Sequence, residues 1–342
     1  MRVTVCASRA AWNDFVSGAG GSLLQSWQWG EFKRGQGWSV LRLVALEGRE
    51  PRAAIQVHAR AVPGLGAFFY APEGPVLPAS DWAAGAAPLV PLLAEVRRRG
   101  RALGALTLRL DPLTCEPCAP AALAALGLRQ APENVQPTAT AVVDLAPSED
   151  ELLRGLEKGA RYLVRRSQRD GVTVRPGTEA DMPPFAQMLA ETGRRKGFSV
   201  RNEAYLRDLA TMLQATDSGE FIVAEWDGQI AGAILTGTFG PRSAALYAAG
   251  NAVGRKVGAQ YLLHWTAMLH AKARGCRVYD FRGIASAADP DDHWAGMTFF
   301  KQRFGTRREE LPGAWDDVYR PLAYRGFLLA QRSRRALLAR KP

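Results

Sequence analysis

One lysine placed behind two phenylalanines, in Phe299-Phe300-Lys301, is the strongest candidate for chemistry in this chain. It lies in a segment, Arg277 to Gly305, that reads as a buried strand, a polar loop and a helix. The strand is predicted from Val278, Asp280 and Arg282 set against Tyr279, Phe281 and Ile284, with Gly283 ending it. The helix is predicted from the acidic run Asp289, Asp291 and Asp292 ahead of Met297-Thr298-Phe299-Phe300, since acids suit the positive end of a helix. Such a segment presents Lys301 as a fixed positive charge.

The remaining reactive inventory is sparse. No Ser–His–Asp or Cys–His set stands out. His264 and His270, six residues apart on one predicted helix, do not share a face, and His58 falls in a predicted strand. Asp289, Asp291, Asp292 and His293 match neither a calcium loop nor a zinc site and read as helix capping and loop solvation, so no metal is expected. Cys115-Glu-Pro-Cys118 has the spacing of a thioredoxin-like site, but a proline-rich turn holding two thiols accounts for it too, and a single CxxC lacks the second pair zinc requires. Asp280 is either a proton acceptor or a strand carboxylate bonded to backbone.

The elements that must position these groups come in two similar sets. Residues 40 to 144 read as three strands, a helix, a strand, a short helix and a strand, and residues 221 to 305 give three strands, a helix, a strand and the Lys301 helix. Short echoes accompany the order: LVALEGREPRAAI beside VAEWDGQIAGAI, FYAPEGPV beside LYAAGNAV, RRRG beside KARG. Tandem domains of one fold explain both. The first set's counterpart of the Lys301 segment, LRLDPLTCEPCAPAALAAL, has no lysine, so any chemistry at Lys301 belongs to the second domain.

Length and composition agree. At 342 residues two domains of about 170 each are expected, and 47% hydrophobic with 23% charged residues excludes disorder. No apolar run approaches the roughly 20 residues that span a bilayer, and the first residues lack a signal peptide's apolar stretch, so a cytoplasmic protein is expected. Lys+Arg 44 against Asp+Glu 33 gives +11, which suits RNA, a phosphorylated substrate or an anionic membrane surface.

Two segments carry much of that charge. Pro147 to Gly171 reads as one amphipathic helix whose Arg154, Lys158, Arg161, Arg165 and Arg169 share a face, with Arg166 beside them. These form a cationic rail with few compensating acids, although a solvated helix face would look similar. The tail PLAYRGFLLAQRSRRALLARKP is a second basic helix, able to lie on anionic lipid or to pack back on the first domain.

Each set follows the element order of the GCN5-related N-acetyltransferase (GNAT) fold. In that fold coenzyme A pyrophosphate is bound through an R-x-x-G-x-G/A pattern, of which Arg255 and Gly258 fit, while Gln260 stands where a small residue belongs. The first set's loop, PEGPVLPAS, has prolines in place of N–H donors. Coenzyme A is thus weakly supported and no cofactor is expected.

The motifs LLQSWQWGEFKRGQGW, FYAPEGPV, LRLDP, KGARYLVRRSQRDGV, ETGRRKGF, LYAAGNA, VYDFRGI and FFKQRFG, spread over nearly the whole chain, resemble the FemABX family. Its members are transfer-RNA-dependent aminoacyltransferases that build peptidoglycan interpeptide bridges. The resemblance implies an α+β fold of two tandem GNAT-like domains with mixed twisted sheets. With no room or heptad pattern for the coiled-coil arm of longer members, the chain resembles the short, armless type. The expected domains are residues 1–145, completed by 313–342, and residues 146–312.

The same resemblance implies site residues. Lys33 and Arg195 would grip the diphosphate of the cell-wall precursor, Tyr247 would line that cleft, and Lys301, preceded by Phe300, would stabilise the oxyanion formed when an amine attacks the aminoacyl ester. Arg154, Lys158, Arg161, Arg165 and Arg166 would face the RNA. The implied partners are aminoacyl-tRNA and a UDP-MurNAc-pentapeptide or lipid-linked precursor, with peripheral contact at the inner membrane face, the protein acting as a monomer. Competing readings are a coenzyme A-dependent N-acyltransferase, a lipid-headgroup aminoacyltransferase and a non-catalytic RNA-binding protein.

Overall fold

Alternating apolar residues become strands with one face in a core, as Leu43 and Ala45 or Ala53, Ile55 and Val57 illustrate: all five are fully buried. The structure is a computed structural model and describes residues 1–197, 200–285 and 294–339. Its fold is α+β, with two mixed sheets of seven strands each.

The first sheet runs β1 (Arg2–Val5), β2 (Ser39–Glu47), β3 (Glu50–Val62), β4 (Gly66–Glu73), β5 (Ala105–Pro112), β14 (Trp315–Val318) and β6 (Arg129–Gln130). The second runs β8 (Thr173–Pro176), β9 (Gly219–Trp226), β10 (Gln229–Phe239), β11 (Arg242–Gly250), β12 (Val278–Gly283), β7 (Ala139–Asp144) and β13 (Arg307–Glu310). In each sheet only the fourth and fifth strands pair in parallel, β4 with β5 and β11 with β12. A helix joins each parallel pair, Leu89–Ala102 in the first and Ala259–Ala273 in the second, as a parallel connection requires.

The chain divides into two compact units, Met1–Gln136 with Leu311–Pro342, and Pro137–Glu310. The sequence reading gives residues 139–144 to the first domain. They form β7 instead, between β12 and β13 of the second sheet, because Ala139, Ala141 and Val143 face that unit's core. The corresponding sixth place in the first sheet is taken by β14, from the tail. Arg109 of β5 holds Asp316 of β14 through two contacts of 2.8 Å, and the hydroxyl of Tyr324 bonds both. The tail helix, Pro321–Ala339, adds Phe327 against Phe68, ring centroids 5.6 Å apart. It thus packs on the first unit.

The predicted single helix over Pro147–Gly171 is two: Glu149–Gly155 and Lys158–Arg169. Leu156 takes extended backbone angles and is buried, and the Glu157 N–H leaves the helical pattern to bond Arg303 O at 2.9 Å. The first helix opens with a capping box of Ser148 and Glu151. No helix among the described residues is long and apolar enough to cross a membrane.

Candidate active site

Strands β11 and β12 pair only over Arg242–Ala244 with Val278–Asp280, after which β11 runs on to Gly250 without that partner. On the other side β12 irregularly re-registers against β7, where Arg282 adopts φ of 63° and Gly283 pairs with Thr140. A cavity of about 400 Å³ opens beside the freed end of β11. Small residues make the space: Ala248, Ala249 and Gly250 from β11, Gly254 from the short helix Ala252–Val257 that follows, and Gly258 at that helix's end. A Cβ on Gly254 would stand 1.9 Å from Ala231 O, so this helix lies directly on β10.

The opposite wall is the helix Ala295–Gln302, which contributes Phe300 and Lys301. It begins after Trp294 with no side-chain cap; the acids Asp289, Asp291 and Asp292, expected to start it, and His293 lie outside the described residues. Lys301 Nζ donates to Gly283 O at 2.5 Å and to Arg282 O at 3.2 Å, so the ammonium is pinned over the end of β12. Burial lowers its pKa to about 8; Asp280 acts to raise it and Arg282 to lower it further. Near neutral pH it remains largely a cation.

Phe300 meets Tyr261 edge-on at 4.9 Å and packs against His264 and Phe304, at 5.5 and 5.4 Å. His264, also in the cavity wall, is not among the residues expected there. Burial lowers its pKa to about 3, and its Nδ1 lies 3.0 Å from the Tyr279 hydroxyl, so it is a neutral packing ring. The i, i+3 and i, i+4 spacing of Tyr261 and Gln260 with His264 is the signal that marks this helix face.

Asp280 settles between its two readings. It accepts from the Arg282 N–H at 2.6 Å, from Arg242 at 2.8 Å and from the Thr140 hydroxyl, so it is a bonded strand carboxylate. Gln260, at the position where the coenzyme A pattern has a small residue, donates Nε2 to Ala249 O at 2.6 Å and stands against Gly232 and Gly250. Its amide fills space at the cavity's floor.

Of the expected acceptor contacts, Arg195 is exposed in the last turn of the helix Met182–Lys196 and borders the same cavity as Phe300 and Lys301. Tyr247 is not among the lining residues; its hydroxyl bonds Arg201 and Tyr205. Lys33 belongs to the first unit, in the last turn of the helix Trp27–Gly35, with its ammonium 5.3 Å from the Trp38 ring centroid.

Of the five RNA candidates, Arg154, Lys158 and Arg165 are exposed, and Arg161 and Arg166 are half-buried. Arg161 donates to Arg154 O at 3.1 Å across the helix break, and Arg166 pairs with Asp170 at 3.0 Å. Arg303, two residues after Lys301, donates to the Tyr261 hydroxyl at 2.8 Å and approaches Glu157 at 3.3 Å. Its guanidinium crosses Gly159, where a Cβ would be 1.8 Å away. The Lys301 helix and the basic helix are therefore fastened to each other within the second unit. Of the cysteines, Cys115 is exposed and Cys118 donates Sγ–H to Trp82 O at 3.3 Å; the two are not joined in a disulfide.

Two sheets of one strand order, each with a single parallel pair, and a cavity at the parting of one pair define a tandem acyltransferase-type fold. The model of the FemAB family matches residues 122–229 and 220–332. The chain belongs to that family. Lipid II:glycine glycyltransferase of Staphylococcus aureus (strain USA300) is 23% identical, the match covering 87% of this chain and 88% of that one. A crystal structure of FemX shares the fold with a TM-score of 0.85 at 21% identity, covering 95% of this chain and 99% of that one. A tandem GNAT protein from the clavulanic acid biosynthesis pathway does so with a TM-score of 0.55 at 14% identity, covering 93% and 98%.

Proposed function

We propose that this protein is an aminoacyltransferase that moves an amino acid from aminoacyl-tRNA to the stem-peptide amino group of a peptidoglycan precursor. The observation that carries the reading is Lys301, a cation pinned on two carbonyls in the wall of a cavity large enough for a reacting ester. The ester is already activated, so the enzyme must hold it beside a neutral amine and stabilise the tetrahedral oxyanion. Lys301 takes the second task, and Phe300 and Tyr261 shape the apolar wall. Lys33, Arg195 and Tyr247 serve the precursor, and Arg154, Lys158, Arg161, Arg165 and Arg166 the RNA. The membership in the FemAB family and the likeness to a lipid II:glycine glycyltransferase support this assignment.

The test mixes the protein with UDP-MurNAc-pentapeptide and labelled aminoacyl-tRNAs, one amino acid at a time, and repeats it with labelled acetyl-CoA. Label reaching the peptide from an aminoacyl-tRNA is expected; label arriving only from acetyl-CoA overturns the proposal. Replacing Arg154, Lys158 and Arg165 together by alanine is expected to weaken tRNA binding at 50 mM salt. It should also flatten the dependence of log K on log salt by about 0.7–0.9 per lost phosphate contact. An unchanged slope in a filter-binding titration places the RNA elsewhere.

A further inference from the structure

We propose that Arg60 is a further anchor for the acceptor's diphosphate, held with Lys33 against the indole of Trp38. This rests on the proposed role of Lys33. The two cations come from separate elements, Lys33 from the helix Trp27–Gly35 and Arg60 from β3, yet both converge on one ring, at 5.3 and 5.6 Å from its centroid. The chain is arranged to bring the ring there. After the helix, Gly37 turns with φ of 78° and the Trp38 N–H bonds back to Lys33 O at 3.0 Å, which sets the indole beside the lysine's own turn.

The third cation nearby serves a different purpose. Arg42 is 3% exposed, pairs with Glu31 at 2.9 Å, donates to Gln56 at 2.7 Å and stacks on Trp27 at 3.7 Å, all of which commit it to the fold. Arg60 is exposed and makes no ion pair among the described residues. His58, next to Trp38 at 6.4 Å, adds no counter-charge: it is 1% exposed, its Nε2 has no partner among the described residues, and burial together with Lys33 and Arg42 keeps the ring neutral.

Two cations of unlike geometry on one rigid support suit two linked phosphates. A lysine serves as a compact point charge and an arginine donates in pairs to oxygens of the neighbouring phosphate. Cation–π contact with Trp38 reduces the freedom each long side chain would lose on binding. The ligand chemistry is the diphosphate itself, which a nucleotide-linked and a polyprenyl-linked precursor share.

The test measures transfer to UDP-MurNAc-pentapeptide and to the lipid-linked precursor, together with calorimetric binding of UDP. Arg60→Gln is expected to raise KM for the diphosphate-bearing acceptor by roughly 10- to 100-fold with kcat unchanged, the loss typical of a charged hydrogen bond. Trp38→Leu should act in the same direction, and Trp38→Phe should recover most of the loss by restoring an aromatic face. A KM raised for the UDP-linked acceptor, with weaker UDP binding, identifies the nucleotide diphosphate; one raised for the lipid-linked acceptor alone identifies the polyprenyl diphosphate. If the wild type transfers and Arg60→Gln changes neither KM nor UDP affinity, the anchor is refuted and the functional reading stands. If the wild type transfers to neither acceptor while Arg60→Gln still weakens UDP binding, the functional reading fails and the anchor stands.

Discussion

Lys301→Met is expected to lower kcat for the proposed aminoacyl transfer by about 10²- to 10³-fold, the cost of removing one preorganised oxyanion partner, with tRNA binding retained. Methionine keeps an unbranched apolar stem and removes the ammonium that bonds Gly283 O and Arg282 O. Loss of those two bonds and relief of a desolvated charge oppose each other, so the melting temperature should move by no more than about 4 °C. A variant that binds tRNA, melts normally and still transfers at the wild-type rate removes Lys301 from the mechanism.

The pH profile checks the same assignment. In the proposed role Lys301 serves as a cation, and its folded pKa is lowered to about 8, so its contribution to rate should be full below that pH and lost as pH rises through it. The acceptor amine acts in the opposite sense, since it attacks only when neutral. The wild type should therefore show a falling limb near pH 8 that Lys301→Met lacks. Stability carries the reverse sign. Below pH 8 folded and unfolded chains both hold the proton, and the penalty for covering an ammonium is present in full. It is relieved from about pH 8 towards the ordinary lysine value of 10.5, where only the unfolded chain keeps the proton.

Asp316→Ala is expected to destabilise the first unit by about 3–5 kcal/mol, because it strands a guanidinium that is 6% exposed. Arg109 would lose both its contacts to the carboxylate, and the Tyr324 hydroxyl its acceptor. Since Asp316 sits on β14 and Tyr324 on the tail helix, the loss also loosens the tail. Urea unfolding followed by tryptophan fluorescence reads the change, Trp315 lying in the affected strand. Arg109→Met combined with Asp316→Leu should restore much of it, as buried pairs replaced by apolar groups often do. If the single change costs less than about 1 kcal/mol, the trio does not hold the tail.

Much of this architecture is written locally. The alternation in LRLVALEG and FIVAEW, the capping box at Ser148 and the glycine turns each encode their own element, and so the repeated strand order was readable. The partnership of a strand is a different matter. Residues 139–144 carry the same alternation whichever sheet they join, and only the two cores decide between them. The break at Leu156 was equally hidden, because its cause, the carbonyl of Arg303, is distant in sequence. At the site, Lys301, Phe300 and Arg195 were legible as residues that a family motif carries, and they share a cavity. His264 was not, because its only sequence mark is its spacing from Gln260 and Tyr261, which a buried packing ring shares. Arg60 was missed because its meaning comes from an indole in another element.

The exchange of sixth strands also sets an order of assembly during synthesis. The second unit is continuous, from Pro137 to Glu310, and carries its own sixth strand at its front. The first unit waits for β14, whose partner β5 is made some two hundred residues earlier. On the ribosome, therefore, the unit begun first is finished last. Until β14 arrives, β5 has an unpaired edge of the kind that recruits the wrong partner. A nascent chain stopped before residue 311 should for that reason hold a folded second unit behind a first unit that chaperones still recognise.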